Sequence, residues 1–359
     1  MQLKLSVTTE TGAEDITQIV PAYNLSGEYT QCARTLSFGL ISSPVDTHVP
    51  TVDIPLGAGV RLDMGEKNVF TGNVFTRQKS TDSNTVEITC FDRGIYLKRN
   101  KAVYKFTNMT PEDITRRVCA DFDIPTGSII ATGVKITRNF VGVTLYQIVQ
   151  TAYTLASYET GEKYQIRFEG EKLTVLKKDI SQQTLILQGG SNLMSLAVTE
   201  SVEQMVNQVA IFSADETLVG TMRDDALIPL YGLMQEYLKQ TKDDDGQAKA
   251  RRILADNGVI QKITVNNLGN AECITGNAVV VQEPYTKLFG LFWIDADTHT
   301  WKNGIYLNKL VLNFRRMMDA QEAGSLPVAT YAGGGGSRES GAQDIWEYLW
   351  TYGGSERAK

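Results

Sequence analysis

The chain has 359 residues, of which 42% are hydrophobic and 21% are charged, so it can form two or three domains that each bury a core. Its 35 basic and 41 acidic side chains give a net charge of -6, which provides no general attraction to nucleic acid. No stretch approaches the roughly 20 apolar residues that span a bilayer, so we expect no membrane insertion.

The first hundred residues contain short apolar stretches that are separated by turn-forming glycine and proline residues. Because no helical pattern lies between the stretches, they favour a small closed or nearly closed barrel over an open parallel sheet. We therefore predict a first β-barrel over residues 1–100. Its main predicted strands are 3–7, 36–40, 60–64, 69–75 and 86–91.

The clearest order of elements lies between Val69 and Pro125. Alternation of Val86 and Ile88 with polar residues predicts a half-buried hairpin strand. A hinge, Asp92-Arg93-Gly94, follows, and we interpret its two charged residues as ion-pairing at the edge of the barrel. Thr110 can then cap a helix over residues 111–122.

The order of these elements resembles the hub proteins of contractile tails. The shared features are a glycine-containing strand, a polar turn, an alternating strand that ends at Asp92, a Tyr96-Leu97 pair, and a helix beginning Thr110-Pro-Glu-Asp-Ile114. The family is the late control protein D-like one, which includes the hubs of phages and of phage-like tail particles (tailocins) and the base of the type VI secretion spike. The resemblance extends, more diffusely, over about residues 1–320.

Residues 101–190 show a different pattern, and we predict an α+β module there. Thr144 and Gln147 have the spacing of a capping box at the start of a second helix, at about 145–157. A predicted hairpin, 164–176, follows that helix.

Residues 191–320 return to strands, and we predict a second β-barrel with a helical insertion at about 222–258. We expect Asp243-Asp244-Asp245 to mark the start of the inserted helix, because a helix N-terminus favours negative charge. Asn257-Gly258 is expected to end it with a left-handed glycine cap. The predicted fold class is therefore mainly β with α+β insertions: two similar small β-barrels, an α+β module, and a C-terminal linker with a short helix.

Residues 321–359 are predicted to be a glycine-rich linker and an aromatic C-terminal helix. We interpret this helix as an apolar anchor for a partner, with a disordered end as the alternative. It also resembles the first helix of peptidoglycan-cleaving domains found on some tail hubs. The candidate docking residues, at i,i+4 spacing, are Ile345, Trp346, Leu349 and Trp350.

The sequence offers little catalytic or metal-binding chemistry. His48 and His299 lie in predicted loops without a second ligand, so a structural or surface role is favoured over a metal or general-base role. Asp295 and Asp297 are predicted at the tip of a solvated hairpin turn that ends at Asn303-Gly304. We predict no cofactor and no metal site.

Other candidate groups are also interpreted as structural. Glu28 with the pair Glu112 and Asp113 could in principle form a glycosidase pair, but spacing alone cannot place them across a cleft. The cysteines lack metal or redox spacing and are predicted to be buried thiols. They are Cys32, Cys90, Cys119 and Cys273.

The resemblance implies a non-enzymatic structural hub, which is a homotrimer whose six barrels adapt a six-fold inner tube to a three-fold spike. Implied partners are the central spike protein, the inner tube or a tube-initiator protein, and LysM-bearing and wedge baseplate proteins. The implied location is the baseplate of a phage tail or tail-like particle, assembled in the bacterial cytoplasm.

Two alternatives remain open at this point. In the first, the hub is fused to or continues into a peptidoglycan hydrolase, a tail-associated lysin. In the second, the chain is a carbohydrate-binding tail-tip protein, which requires Trp293 and Trp301 to be exposed. Alternation of Trp293 with Leu291 favours burial of this tryptophan instead.

Overall fold

The chain folds mainly into β-strands with helices inserted between them, as predicted. The computed structural model describes residues 3–9, 12–41, 52–80, 84–180, 184–240 and 245–326. Among helices in these ranges, none is both long and apolar enough to cross a bilayer. The first strand-rich region contains β1 (Leu3–Thr9), β2 (Gly12–Asp15), β3 (Ala22–Glu28), β4 (Thr35–Ile41), β5 (Gly59–Met64), β6 (Lys67–Lys79) and β7 (Thr85–Phe91).

An α+β module and a second strand-rich region follow. The module contains α1 (Gly94–Arg99), β8 (Lys101–Met109), α2 (Pro111–Asp121), β9 (Thr126–Ile129), β10 (Ile136–Thr144), α3 (Leu145–Thr160), β11 (Tyr164–Glu169) and β12 (Lys172–Lys177). The second region contains β13 (Leu185–Gln188), β14 (Leu193–Ser201), β15 (Gln208–Phe212), β16 (Leu218–Arg223), α4 (Ile228–Tyr231), β17 (Gln235–Lys239), α5 (Gly246–Asp256), β18 (Ile260–Leu268), β19 (Ala278–Glu283), β20 (Leu288–Lys302) and β21 (Ile305–Asn313).

One large sheet runs through both strand-rich regions in the order β14-β18-β21-β20-β3-β4-β7-β6-β5-β1-β2. β19 pairs with β20, and β13 pairs with β19. The long strand β20 joins the regions, because its first part pairs with β19 and residues 296–302 pair with β3. In the second region, an isolated bridge joins Gly189, directly after β13, to Leu193 at the start of β14.

Each strand-rich region has its own apolar core. Leu36 and Ile88 lie in the first core, which also receives Trp301 from β20. Ile294 of the same strand packs with Leu310 in the second core. One strand therefore contributes to both cores, which couples the packing of the two regions.

The predicted helix starts in the α+β module are confirmed. Thr110 Oγ1 accepts a hydrogen bond of 3.4 Å from the amide of Asp113 at the start of α2. At the start of α3, Thr144 and Gln147 form the predicted capping box, with both bonds at 3.1 Å. These bonds satisfy amide groups that have no partner within the helix.

The hinge after β7 differs from its predicted form, because α1 and β8 follow it directly and neither was predicted. Asp92 is buried, and its Oδ1 accepts a hydrogen bond of 2.9 Å from the amide of Gly94, which favours a helical turn at that point. Arg93 forms an ion pair with Glu171 of the β11–β12 turn, at 3.3 Å.

The insertion in the second region is larger than predicted and has a sheet of its own. β15 and β16 lie before the predicted insertion at about 222–258, but they form a separate small sheet with β17 rather than joining the large sheet. Val209 and Ile211 of β15 pack against Ala250 of α5. A helix can cover this face of β15 because its apolar residues alternate.

Both ends of α5 are capped by side chains rather than by a glycine. Asp245 Oδ1 accepts a hydrogen bond of 3.0 Å from the amide of Ala248, as expected for a helix start. The predicted left-handed cap at Asn257-Gly258 is wrong, because Asn257 has a φ of -113° and Gly258 has no positive φ. The Asn257 side-chain amide instead donates to the carbonyl of Ile253, at 2.8 Å.

After β21 the chain returns to the α+β module as a segment that we call the strap, residues 315–325. Tyr146 Oη donates a hydrogen bond to Asp319 Oδ2 of the strap, at 2.6 Å. At the end of the strap, Asn139 and Ser325 exchange two backbone hydrogen bonds of 2.8 Å. The strap therefore fastens the end of the second region to α3 and β10.

Candidate functional site

The middle of β20 carries a row of alternating buried residues, Asp295, Asp297, His299 and Trp301. The prediction of a solvated hairpin tip here is wrong, because these residues lie inside a strand that pairs with both β3 and β21. The turn itself comes later, at Asn303-Gly304, as predicted.

Asp297 is the centre of a group of buried and half-buried side chains that we call the polar cluster: Arg34, Thr275, Asp297, His299, Tyr306 and Asn308. Its Oδ1 accepts bonds from Arg34 Nη1 at 3.0 Å and from the amide and hydroxyl of Thr275 at 2.7 and 2.6 Å. Its Oδ2 receives Arg34 Nη2 and, at 3.1 Å, His299 Nε2. His299 lies on β20 itself, but Arg34 comes from the first region and Thr275 from the loop before β19, so Asp297 connects β20 to both regions.

The position of Arg34 depends on a small residue opposite Asp297. Gly27 of β3 pairs with Asp297, and a Cβ at this glycine would lie 2.8 Å from Arg34 Nη1. Burial alone would raise the pKa of Asp297, but the charge of Arg34 and the hydrogen bonds from His299 and Arg34 outweigh it and lower that pKa. The carboxylate is therefore held in its ionised form, beside a fixed cation.

His299 is also fully engaged. Its Nδ1 lies 2.7 Å from Tyr306 Oη and 2.9 Å from Asn308 Nδ2, and its Nε2 lies 3.1 Å from the carbonyl of Cys273. The carbonyl and the Asp297 carboxylate can only accept, so the proton is assigned to Nε2. Neither ring nitrogen is left for a metal or a substrate proton, which gives His299 a structural role.

A second buried contact lies beside the polar cluster, where four segments meet. Lys178 Nζ donates a hydrogen bond of 2.6 Å to the carbonyl of Met317 in the strap and lies 5.5 Å from the ring centroid of Tyr29. Burial lowers the pKa of Lys178 to about 8, against the opposing charge of Asp295. Burial also raises the pKa of Asp295 to about 6, while Asn313 and Lys178 act in the other direction.

A cavity of about 290 Å³ lies where the two strand-rich regions meet the α+β module. Asp92, Arg34 and His299 are among its lining residues. Ion pairing between Lys67 of β6 and Glu272 bridges the first and second regions beside it. Burial raises the pKa of Asp92 to about 7, although backbone hydrogen bonds oppose the shift.

The structure separates the residues of the suggested glycosidase pair. Glu28 lines this cavity, whereas Glu112 and Asp113 do not. Glu28 accepts hydrogen bonds from Thr30 and Gln31, and Glu112 accepts from the amide and hydroxyl of Thr132. These carboxylates therefore hold local loops and helices in place.

The tryptophans of the second region do not form a glycan-binding surface. Trp293 is 4% exposed and Trp301 is 8% exposed, so the condition of the carbohydrate-binding alternative is not met. Trp301 instead stacks on Tyr306, with ring centroids 4.5 Å apart. The candidate docking residues Ile345, Trp346, Leu349 and Trp350, and also His48, lie outside the described residues.

The four cysteines are buried and present as thiols, as predicted. Burial raises the pKa of Cys90 and of Cys119 to about 12. A thiol held in its neutral form is a poor nucleophile, so these residues act as small apolar side chains.

The sequence interpretation missed the role of Arg34 and the central place of Asp297. The position of Asp297 in a strand could have been predicted from the sequence, because Asp297, His299 and Trp301 alternate with threonines, which favour strands. Arg34 carried no local signal, since it lies 263 residues from Asp297 along the chain.

Comparison with known proteins gives consistent relatives. The XkdQ protein of the phage-like element PBSX of Bacillus subtilis is 26% identical over 294 residues, which are 79% of this chain and 89% of that protein. In fold, the chain is similar to the 43 kDa tail protein of prophage MuSo2 from Shewanella oneidensis, with a TM-score of 0.65, 14% identity, and coverage of 86% of this chain and 98% of that one.

It is also similar in fold to the E. coli c3393 protein, a type VI secretion component described as similar to the T4 tail proteins gp27 and gp5. The TM-score is 0.51 and the identity 11%, with coverage of 91% of this chain and 80% of that one. The YQBQ-like family model matches residues 23–313, which include most of the first strand-rich region, all of the second and the polar cluster. The chain therefore belongs to the YQBQ-like family.

Proposed function

We propose that the chain is a non-enzymatic structural protein of a phage tail or tail-like particle, and that it acts as the hub of a contractile-tail baseplate. The relative from the phage-like element PBSX and the fold similarity to tail and type VI secretion proteins support a tail component. The resemblance to the late control protein D-like family adds the more specific role of a hub.

The observation that carries the hub proposal is the edge-to-edge joining of two strand-rich regions by β20 and β3. The polar cluster is buried at this joint, so the two regions move as one piece. A homotrimer then presents six strand-rich regions, two from each chain, which suits a six-fold inner tube above a three-fold central spike.

The partners of the hub follow from that arrangement. One face of the ring contacts the inner tube or a tube-initiator protein, and the other seats the spike. LysM-bearing and wedge baseplate proteins complete the surroundings, and assembly takes place in the bacterial cytoplasm. The docking role of Ile345, Trp346, Leu349 and Trp350 belongs to this proposal as an anchor on one of these proteins.

Immunogold labelling of purified tail particles tests the proposal. We expect label at the baseplate end, and we expect cells that lack the chain to make no complete tails. Label along the tube, or complete tails without the chain, would contradict the hub role. Clearing of a peptidoglycan zymogram by the purified chain would contradict the non-enzymatic part and favour the lysin alternative.

A further inference from the structure

A groove of about 900 Å³ lies between the end of α3, the inserted helix α5 and the strap. Its apolar lining includes Leu238, Ile253, Met317 and Met318. Methionine side chains adapt their shape to different apolar partners. The groove is therefore large and apolar enough to receive side chains of another polypeptide.

The charged lining of the groove is mainly positive. Five basic residues face two acidic ones, a formal balance of +3, whereas the whole chain has a net charge of -6. The basic residues are Lys163, Lys249, Arg252, Arg315 and Arg316, and the acidic residues are Asp256 and Glu322. The charge of the groove is thus opposite to that of the chain.

Much of this positive charge is held in place without being neutralised. In the described part of the chain, Lys163, Arg252 and Arg315 have no carboxylate oxygen within 4.0 Å. The Arg252 guanidinium lies over the ring of Tyr158, 3.8 Å from its centroid. Arg315 Nη1 donates to the carbonyl of Ala255 at 2.9 Å. Neutral partners orient these cations and leave their charge available to a ligand.

We propose that this groove binds an acidic segment, carrying apolar residues, of a neighbouring protein in the tail particle. This inference rests on the proposed function. Carboxylates of the segment pair with Arg252 and Arg315, while its apolar side chains contact Ile253 and Met317. A polypeptide is favoured over nucleic acid because the apolar lining has no role against a phosphate backbone, and the remaining acidic surface repels one.

Carbodiimide cross-linking of intact tail particles tests the proposal, because this reagent joins lysine amines to carboxylates at contact distance. We expect mass spectrometry to find Lys163 or Lys249 linked to an aspartate or glutamate of another polypeptide. The Arg252→Glu variant should lower the yield of that link on the order of tenfold, since it places a like charge against the segment.

Arg251→Glu is the matched control, because Arg251 is the adjacent residue of α5 and does not line the groove. It should leave the link unchanged, and both variants should keep the melting temperature of the native chain. If Arg251→Glu and Arg252→Glu lower the yield equally, the effect is not local to the groove and the proposal is wrong.

The remaining outcomes separate this proposal from the proposed function. Particles that contain the chain, as shown by immunoblot, but give only links within the chain would overturn the groove proposal and leave the hub role intact. Absence of the chain from all particles would instead contradict the hub role and, with it, the groove proposal. Binding of a fluorescent single-stranded DNA by the purified chain, abolished by Arg252→Glu, would overturn it in favour of nucleic acid.

Discussion

The α+β module and the polar cluster of β20 are both buried, but different forces hold them. In the module, Ile148, Val149 and Ala152 of α3 are fully buried among other apolar side chains. In the cluster, Asp297 is buried to a similar extent, but its neighbours are hydrogen-bond donors. Apolar contacts are non-directional and weaken gradually when a methyl group is lost. A buried ion pair is stabilising only when both partners are present, because a charged group that loses its partner still bears the cost of its desolvation.

This difference has a functional meaning in the proposed hub. The polar cluster lies at the joint between the two strand-rich regions, where a fixed relative position matters most for a ring of repeated units. The module is held by graded packing and by helix caps. We therefore expect single substitutions to have their largest effects at the joint and smaller effects in the module.

The largest effect is expected for Asp297→Ala. The variant leaves Arg34 and the amide of Thr275 without their acceptor, and leaves His299 Nε2 with only the Cys273 carbonyl, so the free energy of unfolding should fall by about 3–5 kcal/mol. Urea denaturation measures the change. Asp53→Ala is the control, because it removes only an exposed partner of Arg77 and should cost less than about 1 kcal/mol. Equal losses in the two variants would contradict the role of the cluster.

A pH-dependent effect is expected from Asp92, at the cavity beside the joint. Its pKa is raised from 3.8 to about 7 in the folded protein, so its contribution to stability is complete below about pH 4 and is lost as the pH rises to 7. Relative to Asp92→Asn, the native chain should lose on the order of 2–4 kcal/mol over this window.

Asp63 provides a control of opposite sign. Although burial raises the pKa of Asp63, hydrogen bonds from Arg61 and Asn68 and the Arg61 charge lower it overall. Its contribution is therefore lost as the pH falls, and Asp63→Asn should change the profile below about pH 4 rather than above it. A stability profile that Asp92→Asn leaves unchanged between pH 4 and 7 would show that Asp92 titrates normally.

Gly94→Ala tests the contact between the module and the first region. A Cβ at this position would lie 2.3 Å from the carbonyl oxygen of Cys32 and 2.7 Å from the Cα of Ala33. Because backbone atoms must move to admit it, the loss should be about 1–3 kcal/mol. Gly258→Ala is the control, since no atom lies within 4 Å of its added Cβ. A Gly94→Ala variant as stable as the control would mean that this contact is loose.

The smallest effect is expected for Thr144→Ala at the start of α3. Loss of the capping box should cost about 1 kcal/mol, as measured by thermal or urea unfolding. Thr144→Ser keeps the hydroxyl group and should retain most of that stability. If the serine variant is as unstable as the alanine variant, the methyl group rather than the cap is responsible.

The same difference explains what could be predicted from the sequence. Helices α2 and α3 were predicted because a cap lies within three residues of its partner, as with Thr144 and Gln147. The buried aspartates of β20 were placed in a solvated turn, because Asp and His usually need water unless partners are supplied. Those partners, Arg34 and Thr275, come from elsewhere in the chain, and only the folded sheet brings them to Asp297.

The insertion shows a second feature that the sequence pattern could not predict, namely which strands pair with β15. The alternating pattern of β15 is the same whether the strand joins the large sheet or a small sheet under α5. The pattern predicts a strand but does not select its neighbours. Pairing depends on the full chain path, and here the partners of β15 are β16 and β17, which follow it in sequence.

The mass of the purified chain in solution, measured by light scattering with and without coexpressed tail proteins, tests the hub account most directly. The account predicts a trimer near three times 39.7 kDa. It also predicts that Asp297→Ala, which loosens the joint, gives less trimer than the native chain. A native chain that stays monomeric in both conditions would contradict the ring, even if the fold and the polar cluster were correct.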